Sequence, residues 1–279
     1  MAGDESIDGA RIVLAEGAFG PFLGAATDEV VHGAYRTSGT WAPDLLRLLC
    51  TDLLEGGGTL LDIGANIGLV SIPATERAPI RTLAFEPDPR NAELLRRNVA
   101  LHGLEERIVV HERALFSSDG TMSLGRDTHN HGDHRLLAEC GDTPSDSAEA
   151  APVTTARLAS ILDAKALAAL PRPIVAKIDT QGAEVDVLEG AGDAVRTVSH
   201  AIVEVWPAGL ARLGRSLSEL RSQLDAEFRW GRLLLDGEPV WPLLPLAEIW
   251  ERLATVPTLD EPDTFFDLLV GHAPDRPAR

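Results

Sequence analysis

A strand that runs through a glycine turn into a helix constrains this chain more than any other feature. Leu60-Leu61 lead into Asp62-Ile-Gly-Ala-Asn-Ile-Gly68, and Leu69-Val70-Ser71-Ile72 follow. Gly64 and Gly68 lack a Cβ, so the turn is free to take unusual backbone angles and a ligand can come close to the main chain. Two glycines are also what an ordinary tight turn needs. The stronger signal is a second apolar run, Arg81-Thr-Leu-Ala-Phe85, that ends in Glu86, 22 residues after Gly64. An acidic residue about 20 positions on is where a βαβ unit holds ribose hydroxyls. The pattern predicts a nucleotide-like cofactor at this turn.

The alternation continues. Strand-like segments at 59–63, 81–86, 107–112, 173–179 and 200–205 are separated by helix-like segments that include 66–77, 89–102 and 183–189. Strands alternating with helices build a parallel sheet with helices on both faces. Asp88-Pro89 is a helix cap followed by a first helical residue, and His102-Gly103 is a stop. Pro73 conflicts with the helix at 66–77, because an interior proline removes a hydrogen bond. Residues 1–55 are expected to form an N-terminal cap, with strand-like pieces at 11–14 and 29–35, and a helix opened by Pro43. Residues 56–279 form the main domain. Within it, 125–152 is polar and lacks periodicity, which predicts a lid loop (127–137) and a flexible tether (141–151). The C-terminal part supplies a helix near 217–228, a strand near 232–236, a helix near 246–253 and a last strand at 265–270.

Acidic residues outnumber basic ones 43 to 25, giving a formal charge of -18. Nucleic-acid binding draws on clustered Lys and Arg, so a polyanionic partner is not expected. Cys50 and Cys140 are too few for a disulfide framework. The N-terminus is acidic and no apolar stretch is long enough for a bilayer, so the expectation is a soluble, cytoplasmic protein without membrane contact.

Asp179 closes the apolar strand Ile174-Val-Ala-Lys-Ile178, at the sheet edge where open α/β proteins bind ligands. A carboxylate there is costly unless paired, so it needs a function. Base for an acceptor hydroxyl, ligand of a divalent ion and anchor of the cofactor all fit. Glu204 ends the next strand, Ala201-Ile-Val203, and should face the same cleft. Glu184 reads as a first-turn helix acid. His129, His131, Asp133 and His134 crowd into one loop; a fourth zinc ligand of the usual kind is missing, but an imidazole there can take a hydroxyl proton.

Three motifs in order, Leu60-Leu-Asp-Ile-Gly-Ala-Asn-Ile-Gly68, Phe85-Glu-Pro-Asp-Pro89 and Lys177-Ile-Asp-Thr-Gln-Gly-Ala-Glu184, resemble those of the FkbM-type S-adenosylmethionine-dependent methyltransferases. The resemblance implies the Rossmann-like class I methyltransferase fold: a mostly parallel seven-stranded sheet, helices on both faces, and an antiparallel last strand, for which 265–270 is the candidate. It implies S-adenosylmethionine as cofactor. Asp62, Gly64, Ala65, Asn66 and Gly68 would shape the turn around its methionine and ribose parts, and Glu86 would accept from the ribose hydroxyls. The adenine pocket would draw on 112–115, with Ala114 at its centre. Asn130-His-Gly-Asp-His-Arg135 resembles a family loop that lies over the active site. Related enzymes of this fold bind magnesium at two strand ends; here Asp179 and Glu204 stand without a second Asp after Glu204, so no metal is expected.

The activity implied is O-methylation of a small molecule such as a natural product or sugar. Asp179 and His134, then His131 and Glu204, are the catalytic candidates. An N- or carboxyl-methyltransferase and a non-catalytic cofactor-binding protein are the alternatives. A nicotinamide oxidoreductase is disfavoured, because Tyr35 is the sole tyrosine, no lysine follows it at short spacing, and the turn lacks a three-glycine fingerprint.

Overall fold

A computed structural model of the chain describes residues 6–138, 147–235, 237–259 and 261–272. A hairpin, β1 (Ala10–Gly17) and β2 (Gly20–Ala25), precedes helix α1 (Val31–Ser38) and a helical segment, α2 (Pro43–Arg47), that continues as a π-helical turn through Leu53. Then come β3 (Gly58–Ile63), α3 (Ser71–Arg77), β4 (Ile80–Phe85), α4 (Pro89–Leu101) and β5 (Ile108–His111). After β6 (Gly120–Asp127) and β7 (Ser147–Ala156) the chain returns with β8 (Ile174–Ile178), α5 (Glu184–Ala191) and β9 (His200–Val205). It ends in α6 (Leu217–Glu227), β10 (Trp230–Leu235), α7 (Leu246–Leu253) and β11 (Phe266–Gly271).

The principal sheet has the order β5-β4-β3-β8-β9-β11-β10, with two-residue strands added beside β10. The first five run parallel, and β11 lies antiparallel between β9 and β10. This is the seven-stranded arrangement expected, with the last strand inverted at 266–271 rather than 265–270. β3 and β8 are buried at every residue, as strands covered on both faces must be. The register sets Ile63 opposite both Phe85 and Ile178, and Ile178 opposite Val203. The residues that follow, Gly64, Glu86, Asp179 and Glu204, therefore leave the same edge of the sheet. Because β3 leads outward to β4 and β5 on one side while β8 begins the other, the chain reverses between β3 and β8. That reversal opens a crevice at the carboxyl ends of the strands.

Three expectations are corrected. The piece at 29–35 is the start of helix α1, not a strand: the Asp28 carboxylate accepts from the N–H groups of Val30, Val31 and His32, and Tyr35 packs on Phe19 and Phe22. Helix α3 begins at Ser71 instead of residue 66, which places Pro73 in a first turn whose N–H groups need no intrahelical partner. Residues 66–70 are irregular, with Asn66 in a left-handed conformation at φ 50°. Finally, the segment expected as a loop from 125 to 152 is strand at both ends: β6 and β7 pair antiparallel from Gly120 to Asp127, and Arg135–Leu136 adds to β6. The alternation there is carried by small and polar residues, which hid it. Residues 128–134 form a loop between the two pieces of strand; most of the expected tether, 141–146, lies outside the described residues.

Candidate active site

The crevice holds a cavity of about 820 Å³, within the range that encloses a cofactor and part of a second molecule. It runs from the tips of β3, β4 and β5 to those of β8, β9, β11 and β10.

At the first end, Gly64, Ala65 and Asn66 line the cavity together with Glu86 and Ala114. The Gly64 and Ala65 N–H groups both bond the Phe85 carbonyl at 3.0 Å, which bends the turn against β4. Glu86 Oε2 accepts from the Asn66 N–H at 2.8 Å and Oε1 from the Asp88 N–H at 2.9 Å. Each oxygen takes one of these N–H donors and has capacity for another, and Glu86 lines the cavity. Burial pushes the Glu86 carboxyl up to about 8, against the pull of these N–H donors. Gly64 has φ 84°, and a Cβ there would collide with the Asp179 carbonyl, so the glycine serves the close approach of two strand ends.

Two predicted cofactor residues lie behind the cavity wall. Gly68 has φ 94° and backs onto the side chains of Leu95 and Ile72, where it packs the turn on α4. Asp62 is fully buried and accepts from the Ser71 hydroxyl at 2.5 Å, tying the end of β3 to the start of α3. Of the 112–115 stretch, Glu112 points away and pairs with Arg96 at 2.8 Å, while Arg113, Ala114 and Leu115 line the cavity. Asp88 caps α4 and ion-pairs with Arg126, outside the lining.

At the second end Asp179 and Glu204 come together through a residue that sequence reasoning passed over. The Gln181 amide nitrogen donates to Asp179 Oδ1 at 2.8 Å and to Glu204 Oε2 at 3.0 Å. Gln181 has φ 58°, a conformation costing a non-glycine residue about 1–3 kcal/mol, which the two carboxylates and the loop offset. Lys177, also passed over, reaches Asp179 Oδ2 at 3.2 Å, Asp62 Oδ1 at 3.5 Å and the Gly64 carbonyl at 3.0 Å. Burial alone would push its ammonium down, but Asp179 and Asp62 more than reverse this and hold it protonated. The signal for Lys177 was present: a lysine inside an apolar strand demands a buried counter-charge. Burial, then the neighbouring carboxylates of Asp179, Glu184 and Asp267, push Glu204 well above the usual range. Glu184 is not a lining residue; its Oε1 accepts from the N–H groups of Thr180 and Gly182 and shapes the loop that carries Gln181. Among the described residues, no cluster of three or more His, Cys, Asp or Glu side chains is disposed to hold a metal ion.

The histidine loop lines the cavity and is tied to the glycine turn and to α4. The His131 carbonyl accepts from the side chains of Asn66 and Asn91, and the Glu29 N–H bonds the His129 carbonyl at 2.8 Å. His131 Nε2 lies 3.2 Å from the Thr27 hydroxyl. The N-terminal segment and the loop thus form one clasp. His131 and His134 line the cavity with ring centroids 5.2 Å apart. His134 Nδ1 accepts from the Asp127 N–H at 3.2 Å, and burial pushes the ring down to about 4. Its neutral form then carries the proton on Nε2, which makes it a donor into the cavity.

A parallel sheet with an inverted last strand, a ligand crevice at the reversal point and a carboxylate after the second strand define the class I methyltransferase architecture. The chain belongs to the FkbM methyltransferase family: the profile of the methyltransferase FkbM domain matches residues 62–229. Methyltransferase sdnD of Sordaria araneosa is 30% identical over 187 residues, covering 58% of this chain and 72% of that protein. Hexuronic acid methyltransferase AglP of Haloferax volcanii is 27% identical over 171 residues; the match covers 58% of this chain and 61% of that protein. Among solved structures, methyltransferase FkbM from Methylobacillus flagellatus superposes with a TM-score of 0.44 at 17% identity, covering 77% of this chain and 43% of that one. Among the described residues, no helix is long and apolar enough to cross a membrane.

Proposed function

We propose that this chain is an S-adenosylmethionine-dependent O-methyltransferase that acts on a hydroxyl of a small molecule such as a natural product or sugar. The observation that carries this reading is one cavity with two differently equipped ends: Glu86 with free acceptor positions beside the glycine turn, and the Gln181-bridged pair Asp179–Glu204 across the reversal point. The first end suits the cofactor. Glu86 would take the ribose hydroxyls, the Gly64–Asn66 backbone would follow the methionine part, and Ala114 with Leu115 would pack the adenine. Seven carboxylate residues line the cavity against one lysine and one arginine, a balance that favours a cationic sulfonium. When bound, S-adenosylmethionine supplies an electrophilic methyl group on that sulfur.

The remaining work falls to the chain itself. In-line displacement needs an acceptor oxygen held still in a site shielded from water. The Asp179–Glu204 pair orients the hydroxyl and takes its proton as the new carbon–oxygen bond forms. Burial and the carboxylates around it push the Glu204 carboxyl above the usual range, which makes it a stronger base once ionised. His134, fixed as a donor, holds the acceptor instead of deprotonating it, and the clasp excludes water.

Incubation with methyl-labelled S-adenosylmethionine and an extract of the producing cell, read by mass spectrometry, tests the reading. The expected product carries one added methyl group on oxygen. Label on nitrogen or on a carboxyl group, or none on any acceptor, would overturn it.

A further inference from the structure

The second end of the cavity separates into an acidic floor and an apolar rim. Among the described residues, seven large apolar side chains are exposed, and three of them line this cavity: Val30 at 43%, Leu235 at 49% and Phe265 at 60%. They come from three elements, the clasp, the end of β10 and the lead into β11. Apolar side chains left exposed around one opening mark a surface that another molecule covers. Asp179, Glu204 and Asp267 line the same cavity, and the strand register sets Asp267 opposite both Glu204 and Leu234, next to Phe265 and Leu235.

The fixed cations of the lining are Lys177 and Arg113. Lys177 is already surrounded by two carboxylates and a carbonyl, and Arg113 follows β5 at the opposite end. A carboxylate on the acceptor would meet like charge without a counter-ion, whereas a neutral hydroxyl finds acceptors for its proton. We propose that the acceptor is an uncharged amphipathic alcohol, its apolar body against Leu235 and Phe265 and its hydroxyl over Asp179–Glu204, and that anionic sugars such as uronates are excluded. This rests on the methyltransferase reading and narrows it: the substrate class differs from what the name of the haloarchaeal relative states for that protein.

The test uses the full chain and three probes, 4-phenylbutan-1-ol, 4-phenylbutyrate and D-glucuronate, titrated by ligand-observed NMR with and without S-adenosylhomocysteine. The alcohol is expected to bind at least about tenfold more tightly than either anion. Phe265→Ser should weaken the alcohol by about tenfold, the contribution of one aromatic contact, and leave the anions as weak as before. Equal or tighter binding of an anion, no binding of the alcohol, or an unaffected Phe265→Ser variant would overturn the proposal. S-adenosylhomocysteine binding is read separately: its absence would count against the methyl-donor site, while the ranking of the probes judges the acceptor class.

Discussion

The two ends of the cavity are built by different means. The end proposed for the cofactor is made of backbone: N–H groups of Gly64, Ala65, Asn66 and Asp88 are committed to Phe85 and Glu86 over a short stretch of chain. The end proposed for the acceptor is made of side chains from distant segments: Lys177, Gln181, Glu204 and Phe265. Backbone geometry is set by local sequence and resists change, whereas a side-chain surface can be altered residue by residue. The difference explains how one fold keeps a single methyl donor while its acceptors vary.

If the ends are separate, substitutions should separate too. The largest expected effect is at the acceptor floor: Asp179→Asn and Glu204→Gln lower turnover by about 10²-fold or more, while affinity for S-adenosylhomocysteine stays within about threefold. Next is the shared wall. Gly64→Ala drives a Cβ into the Asp179 carbonyl and should cost about 3 kcal/mol or more in denaturant unfolding, whereas Gly68→Ala meets only the movable tips of Leu95 and Ile72 and should cost about 1–2 kcal/mol. Equal costs would mean that the two strand ends are less tightly joined than described. At the cofactor end, Glu86→Gln should weaken S-adenosylhomocysteine by roughly 10- to 100-fold, as expected for losing hydrogen bonds to a charged group.

Titration gives a subtler division. The folded-state Glu86 carboxyl lies near 8, above its ordinary 4.5, so its ionised form is disfavoured without a ligand. Stability linked to it is fully present below about 4.5 and declines as pH rises toward 8, while cofactor affinity should rise over that same window. Glu86→Gln should flatten both curves. His134 has the opposite sign: its folded value of about 4 lies below the ordinary 6.5, so its contribution is present above 6.5 and is lost as pH falls toward 4. Thermal unfolding of His134→Gln should therefore show a shallower acid limb than the wild type.

The same division decided what could be read from the sequence. Strands β3, β4, β8 and β9 were legible because continuous apolar runs end in glycine or acid, and the place of Glu86 at the end of β4 was legible with them. Asp62 and Gly68 were correctly seen as part of the turn, but spacing does not tell a lining residue from one that braces the wall. Helix α1 was missed because its cap, Asp28, stands two residues ahead of Val30, and β6–β7 because their pairing is non-local. Gln181 carried no sequence signal: its role arises only when β8 and β9 align Asp179 with Glu204.

In the proposed reaction the methyl donor occupies the β3–β4 end and presents its sulfur toward Asp179 and Glu204. A crystal structure of the chain with S-adenosylhomocysteine tests this most directly. Both ribose hydroxyls are expected on Glu86, adenine beside Ala114, and the sulfur facing the Gln181-bridged carboxylates. A ligand whose ribose sits away from Glu86, or whose sulfur faces away from Asp179 and Glu204, would contradict it.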